Sequence, residues 1–159
     1  MNINIFVVGR LKENYYREAE KEYLKRLSGY AKVNVREFQD LPTPDKASPV
    51  LLESIKDKED KKVLDAIKPG EYVVLLDLGR EETTSQELAK RIEKWMVLSG
   101  SNLTFVIGGS LGLSNKLRER GNDVLSLSKL TFTHQLTRII LYEQLYRSFR
   151  ILNGEPYDK

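Results

Sequence analysis

The run "FVIGGSLGLS" (105–114) holds the densest set of residues able to do chemistry. Gly108-Gly109-Ser110-Leu111-Gly112 fits G-x-S-x-G, a pattern that can lift a nucleophilic serine out of a strand-to-helix turn. Asp123 and His134, the only histidine, follow in the chain order Ser, Asp, His. Assembled, such a triad would carry out acyl transfer, with the imidazole taking the serine proton and the carboxylate orienting the ring. The elbow, however, needs a strand that passes directly into a helix. Here Leu111, Gly112 and Leu113 intervene before the first plausible cap, Ser114. The glycines have a second reading: backbone without side chains lets a ligand approach closely or the chain take positive φ. G-x-G-x-x-G and the Walker pattern are both absent, so neither a dinucleotide nor a triphosphate is indicated.

A second constellation lies in "LTFTHQLTRIILYEQLYRSFRILNGEPYDK" (130–159). His134, Arg138 and Tyr142 recur at i, i+4 and i+8, one face of a helix. Glu143, Gln144, Tyr146 and Arg147 add polar groups that an apolar stripe does not need. The Arg138 fork suits a phosphate or a developing anion; the blander alternative pairs it with a nearby carboxylate. A lone histidine at a helix start serves equally as a cap or a structural hydrogen bonder. Pro156 stops the helix, and the tail beyond it has the length of a short lid.

The elements that must position these residues alternate. Residues 3–8 read as a buried strand closed by Gly9, and 13 to about 29 as a helix stopped by Gly29. "KVNVREF" (32–38) alternates like an outer strand. A loop with three prolines (40–49) follows, then a helix opened by Ser48-Pro49 that runs to about Ile67. "YVVLLDL" (72–78) is continuously apolar, as in a strand buried on both faces of a parallel sheet. Thr84 and Glu87 form a capping-box pattern for a helix to about Leu98. Strands at 103–109 and 123–128, a short helix from about Ser114 and a last helix from Thr133 or His134 to about Leu152 complete the chain. Strict alternation predicts an α/β fold, a mainly parallel sheet flanked by helices in a single domain over 1–159. Ligands of such sheets sit at the carboxyl ends of strands. Three ends stand out: 75–80, 106–112 and 126–134. Their apolar, glycine-rich, weakly charged character suits an adenosine-type ligand held by backbone groups; the alternative is tight strand-to-loop packing with no ligand.

The chain has 159 residues, net charge +3 and no cysteine, which rules out disulfides, thiolate metal sites and a cysteine nucleophile. The start "MNINIFVVGRLKEN" does not read as a signal peptide and no apolar run reaches membrane-spanning length, so a cytoplasmic location is expected. Positive charge concentrates in 10–32 and in "KLRER" (116–120), either as a nucleic-acid footprint or as solvated helix faces.

The starts and ends quoted above, with "INIFVVGRLKENYY", "YVVLLDLGR", "FVIGGSLGLS", "SLSKLTFTHQLTRIILYEQLYRSFRI" and the "EPY" tail, give a chain-long resemblance to a known family. The sequence resembles the SPOUT-class RNA methyltransferases, specifically the small single-domain family that methylates N3 of a pseudouridine in 23S ribosomal RNA. The resemblance implies a C-terminal deep trefoil knot and a homodimer. It implies S-adenosyl-L-methionine as methyl donor, the large-subunit RNA of the assembled ribosome as substrate, and no metal. Carried over by motif, the cofactor contacts are Leu76, Gly108, Leu127, Ser128, Lys129, Leu130, Thr131 and Phe132. Arg138 is expected to position RNA or stabilise the imide anion, with His134, Tyr142 and Arg147 in support. The family tail ends in Pro-Tyr-His, whereas this chain has Pro156, Tyr157 and Asp158. Tyr157 and Asp158 are therefore the expected tail contribution to catalysis, with Asp158 as a replacement acceptor. That departure also leaves open a non-catalytic ribosome- or RNA-binding dimer of the same fold, and the Ser110 hydrolase stays as a third reading.

Overall fold

A computed structural model describes residues 1–100 and 102–157. Ten elements alternate as the hydrophobic pattern requires. In chain order they are β1 (Asn2–Val8), α1 (Asn14–Leu27), β2 (Lys32–Phe38), α2 (Pro49–Ala66), β3 (Tyr72–Leu76), α3 (Ser85–Ser99), β4 (Asn102–Ile107), α4 (Asn115–Arg120), β5 (Asp123–Leu125) and α5 (His134–Leu152). The strands form one sheet in the order β2-β1-β4-β3-β5, and every pairing is parallel. The expected α/β class and the outer position of 32–38 are both found.

The helices start where side chains can accept their unpaired N–H groups. Ser48 accepts from Leu51, Ser114 from Leu117 and Thr133 from Leu136. Thr84 and Glu87 complete a reciprocal capping box. Each strand sends alternate residues to opposite faces. Ile3, Ile5 and Val7 of β1 join Leu103, Phe105 and Ile107 of β4 under α1, α3 and α5, where Trp95, Leu141 and Leu145 are buried. On the other face Phe6, Val8, Val73, Leu75 and Val106 meet Val63 and Ile67 of α2 and Leu117 of α4.

β4 ends at Ile107, two residues short of its expected limit, and two further strands are shorter than their apolar runs suggest. β3 stops at Leu76 and β5 at Leu125. Beyond them the Ser126 hydroxyl accepts from the N–H groups of Arg80 and Glu81 and donates to the Ser128 carbonyl at 3.0 Å. These bonds tie the loops after β3 and β5 together, beside the backbone bonds from Asp77 N–H to the Leu125 carbonyl and from Gly79 N–H to the Ser128 carbonyl. Among the described residues, no helix is long and apolar enough to cross a membrane.

Candidate active site

The three strand ends picked out from sequence meet at the carboxyl edge of the sheet. They enclose a cleft of about 630 Å³ lined by Leu76–Leu78, by 107–110 with Gly112 and Leu113, and by 131–135 with Thr137. Gly108 packs so closely on the returning turn that an added Cβ would lie 2.9 Å from Leu113 Cδ2 and 3.1 Å from the Gly112 carbonyl oxygen. Gly112 has φ +86°, and its N–H donates to the Gly109 carbonyl at 3.0 Å. The glycines therefore fold the turn back on itself, a geometry a side chain at either position would break.

Of the expected cofactor residues, Leu76, Gly108, Thr131 and Phe132 line this cleft. Leu127 and Ser128 lie in the adjoining depression beside Thr83, Thr84 and Glu87. Lys129 reaches Glu82 at 3.8 Å, and Leu130 is 70% exposed. The Ser128 carbonyl accepts from Gly79 N–H at 2.8 Å, which clamps the 127–132 loop onto the turn after β3. The Asp77 carboxylate, also on the cleft wall, binds Arg118 at 2.7 Å and Arg80 at 2.6 Å. Sequence reasoning gave that residue no role.

His134 forms the wall opposite the glycine turn. Its ring lies against Gly9, where an added Cβ would be 2.7 Å from Cε1. Its Nδ1 is buried without a hydrogen-bond partner. Burial pushes its pKa below the usual histidine value, with Arg138 and Lys12 acting the same way and Asp40 opposing. The ring is thus neutral at pH 7, with a lone pair to spare.

No serine triad is assembled. Asp123 Oδ2 accepts from Trp95 Nε1 at 2.8 Å, and Oδ1 accepts from Val124 N–H and lies 3.4 Å from Arg91. Its carboxyl stays below its usual pKa because these donors outweigh the effect of burial. With His134 Nδ1 unpartnered as well, the hydrolase reading of Ser110 falls.

Arg138 is 2% exposed, and its fork is occupied. It binds Glu20 of α1 at 2.6 Å, Glu37 of β2 at 2.7 Å and the Tyr142 hydroxyl at 3.0 Å. Tyr142 donates to the same Glu20 oxygen at 2.6 Å, and burial drives its pKa far upward. The carboxylate pairing weighed as the blander alternative is the arrangement found.

Among the described residues, none of 153–157 lines the cleft. Tyr157 stacks edge-on against Tyr146, with its ring 4.7 Å from the Arg147 guanidinium. Arg150 pairs with Glu155. Along α5 this end lies ~20 Å from His134, at about 1.5 Å per residue. Asp158 lies outside the described residues.

Two buried carboxylates beneath the glycine turn escaped sequence reading. Glu59, 4% exposed, accepts from Leu41 N–H at 2.7 Å. Asp60, 1% exposed, accepts from Ser114 N–H at 2.6 Å. Burial raises both pKa values. They sit in "KDKEDKK" (56–62), which reads as a solvated charged run. Among the described residues, no group of three or more His, Cys, Asp or Glu could hold a metal.

Residues 1–158 match the family model described as "Predicted SPOUT methyltransferase". Curated relatives align over the full length of both chains. The chain is 54% identical to the "Ribosomal RNA large subunit methyltransferase H" of Clostridium botulinum (strain Eklund 17B / Type B). It is 47% identical to the protein of that name from Halothermothrix orenii and 50% identical to that of Bifidobacterium animalis subsp. lactis.

Proposed function

The chain belongs to the SPOUT methyltransferase family, and on that premise we propose that it methylates N3 of a pseudouridine in the large-subunit RNA of the assembled ribosome, using S-adenosyl-L-methionine. The observation that carries this reading is the cleft itself. Three loops from the carboxyl edge of a parallel sheet converge there, with apolar walls, folded-back glycines and few charges.

The residues present fit the cofactor. Leu76, Ile107, Leu113 and Phe132 offer apolar surface for an adenine, and the 127–132 loop offers backbone donors and acceptors at its edge. When bound, the cofactor supplies an electrophilic methyl on a sulfonium. The chain's own task would be to hold N3 in line with that methyl and to take the N3 proton. His134, neutral and with its ring on this wall, is the acceptor, through the ring nitrogen other than the buried Nδ1. Arg138 is a positioning residue: it locks α5 to α1 and β2 and so fixes where His134 stands. Holding the reactants aligned supplies several kcal/mol of the barrier.

The chain acts as a homodimer in this reading. The Arg147–Tyr157 end of α5 is too far from its own cleft to contribute there, so Tyr157 and Asp158 of one protomer serve the cleft of its partner. The deep trefoil knot belongs to the same reading; its support is β5 lying beyond β3 at the sheet edge while α5 packs back on α1 and α3. A ribosomal substrate places the enzyme in the cytoplasm.

The test is incorporation of labelled methyl from S-adenosylmethionine into ribosomes, with mass spectrometry of the RNA, beside a calorimetric titration of the cofactor. One site per chain and a single N3-methylated pseudouridine are expected. A folded protein that neither binds the cofactor nor labels ribosomes would overturn the proposal.

A further inference from the structure

At the end of the sheet away from the cleft, strand alternation exposes a row of polar groups. Ile3, Ile5 and Val7 face the core, so Asn2 and Asn4 face the other way. In register beside them on β2 are Lys32 and Asn34, and Arg36 stands next to Phe6. Asn102 pairs with Asn2 from the β4 side. α2 covers only the Phe6 and Val8 end of this face, through Val63 and Ile67. A groove of about 380 Å³ remains, and Lys68 closes it after α2.

Two features of this groove exceed what the fold uses, although Arg36 also lies over the Phe38 ring at 4.8 Å. Asparagine is depleted in strands because its side chain packs poorly on a pleated surface, yet four stand here on one face. Of the four side chains, only that of Asn4 makes a hydrogen bond among the described residues, to Thr104 Oγ1 at 3.3 Å. Lys32, Arg36 and Lys68 are all exposed, and none has a carboxylate partner among the described residues. The one carboxylate on the wall, Glu71, is occupied by the Thr104 hydroxyl at 2.8 Å.

We propose that this groove is a second RNA-binding surface, which grips ribosomal RNA outside the nucleotide being methylated. Cations attract the phosphodiester backbone. Carboxamides both donate and accept, so they suit ribose hydroxyls and base edges. An acidic protein surface offers acceptors only and would leave the amide oxygens facing like groups. The strands run ~20 Å from this groove to the cleft, at about 3.3 Å per residue. One RNA fold can therefore contact both ends of the molecule.

The inference rests on the ribosomal substrate proposed above. Its test separates binding from turnover. Lys32→Gln, Arg36→Gln and Lys68→Gln are combined and compared with an equal charge change at the exposed Lys61, Lys90 and Lys94. Ribosome binding is measured by co-sedimentation across a salt series, together with cofactor affinity and kcat at saturating ribosomes, and binding is repeated on protein-free large-subunit RNA. The groove variant should bind ribosomes and free RNA about tenfold more weakly, with a salt slope smaller by roughly 2–3. Its cofactor affinity and kcat should match wild type, and the control variant should bind as wild type does. Equal weakening in both variants would reduce the effect to net charge and overturn the inference. Loss on ribosomes but not on free RNA would assign the groove to a ribosomal protein and overturn it equally. Wild-type protein that binds ribosomes through the groove but never methylates them would sink the proposed function and leave the groove standing.

Discussion

Gly9→Ala tests how tightly the fold fixes His134. Gly9 has φ +115°, a conformation L residues rarely adopt. Its missing side chain makes the space in which the imidazole sits. An alanine Cβ would be 2.7 Å from Cε1 and 3.1 Å from both ring nitrogens. Carbon atoms rest at about 3.5 Å or more, so the ring or the strand end must yield by about 0.8 Å. Backbone strain at such a φ costs about 1–3 kcal/mol. For a chain of this length, 2 kcal/mol lowers Tm by about 4–8 °C. A displacement approaching 1 Å at a reacting group costs on the order of 100-fold in rate. Single-turnover methylation of ribosomes should therefore slow by about 10- to 100-fold, with cofactor affinity little changed. Combined with His134→Ala, which removes the obstruction, Gly9→Ala should add almost nothing to the rate loss, because the two act through one contact. A Gly9→Ala enzyme with wild-type turnover, measured well below its Tm, would refute the assignment of His134 to the reaction.

Arg138→Ala should cost about 3 kcal/mol, near the low end for a broken buried ion pair, because the Glu37 side chain is 43% exposed; denaturant unfolding would show it, and loss of methylation without loss of stability would point instead to direct substrate contact. His134 has a folded pKa below 6.5, so the unfolded chain takes the proton first as pH falls, and stability declines from about pH 6.5 downward until the folded pKa is passed. His134→Gln should remove that decline. Glu59 and Asp60 titrate with the opposite sign, so the readout is the difference between the two stability curves, and parallel curves would contradict the burial argument. Asp60→Ala leaves the Ser114 N–H buried without an acceptor and should cost about 2 kcal/mol; unchanged Tm and cofactor affinity would mean that the carboxylate does not support the turn.

Element types were legible because local signals agreed with the global pattern. "KVNVREF" alternates and is an edge strand, and Thr84 with Glu87 mark a helix start to the residue. Strand lengths were less legible, because the expected runs 72–78 and 123–128 continue past Leu76 and Leu125, where the chain leaves the ladder for loops tied together through Ser126 and Gly79. The order β2-β1-β4-β3-β5 depends on pairings between distant segments that no local pattern encodes. At the site, the glycine turn and the 131–134 segment announced themselves by composition. The partners of Arg138 did not: Glu20 and Glu37 look like surface charges until α1 and β2 bring them to α5. Glu59 and Asp60 stayed hidden for the same reason.

β1 pairs with β2 on one side and with β4 on the other, Asn2 opposite both Lys32 and Asn102. The first strand synthesised therefore waits about a hundred residues for its second neighbour. Until β4 leaves the translating ribosome, Ile3, Ile5 and Val7 lack that neighbour, and the α5 side chains that help bury them follow later still. Closing a loop of that length before any reward is slow. The chain must be nearly complete before its core can form, so a translation stall before residue 102 would leave one edge of β1 unpaired and open to aggregation.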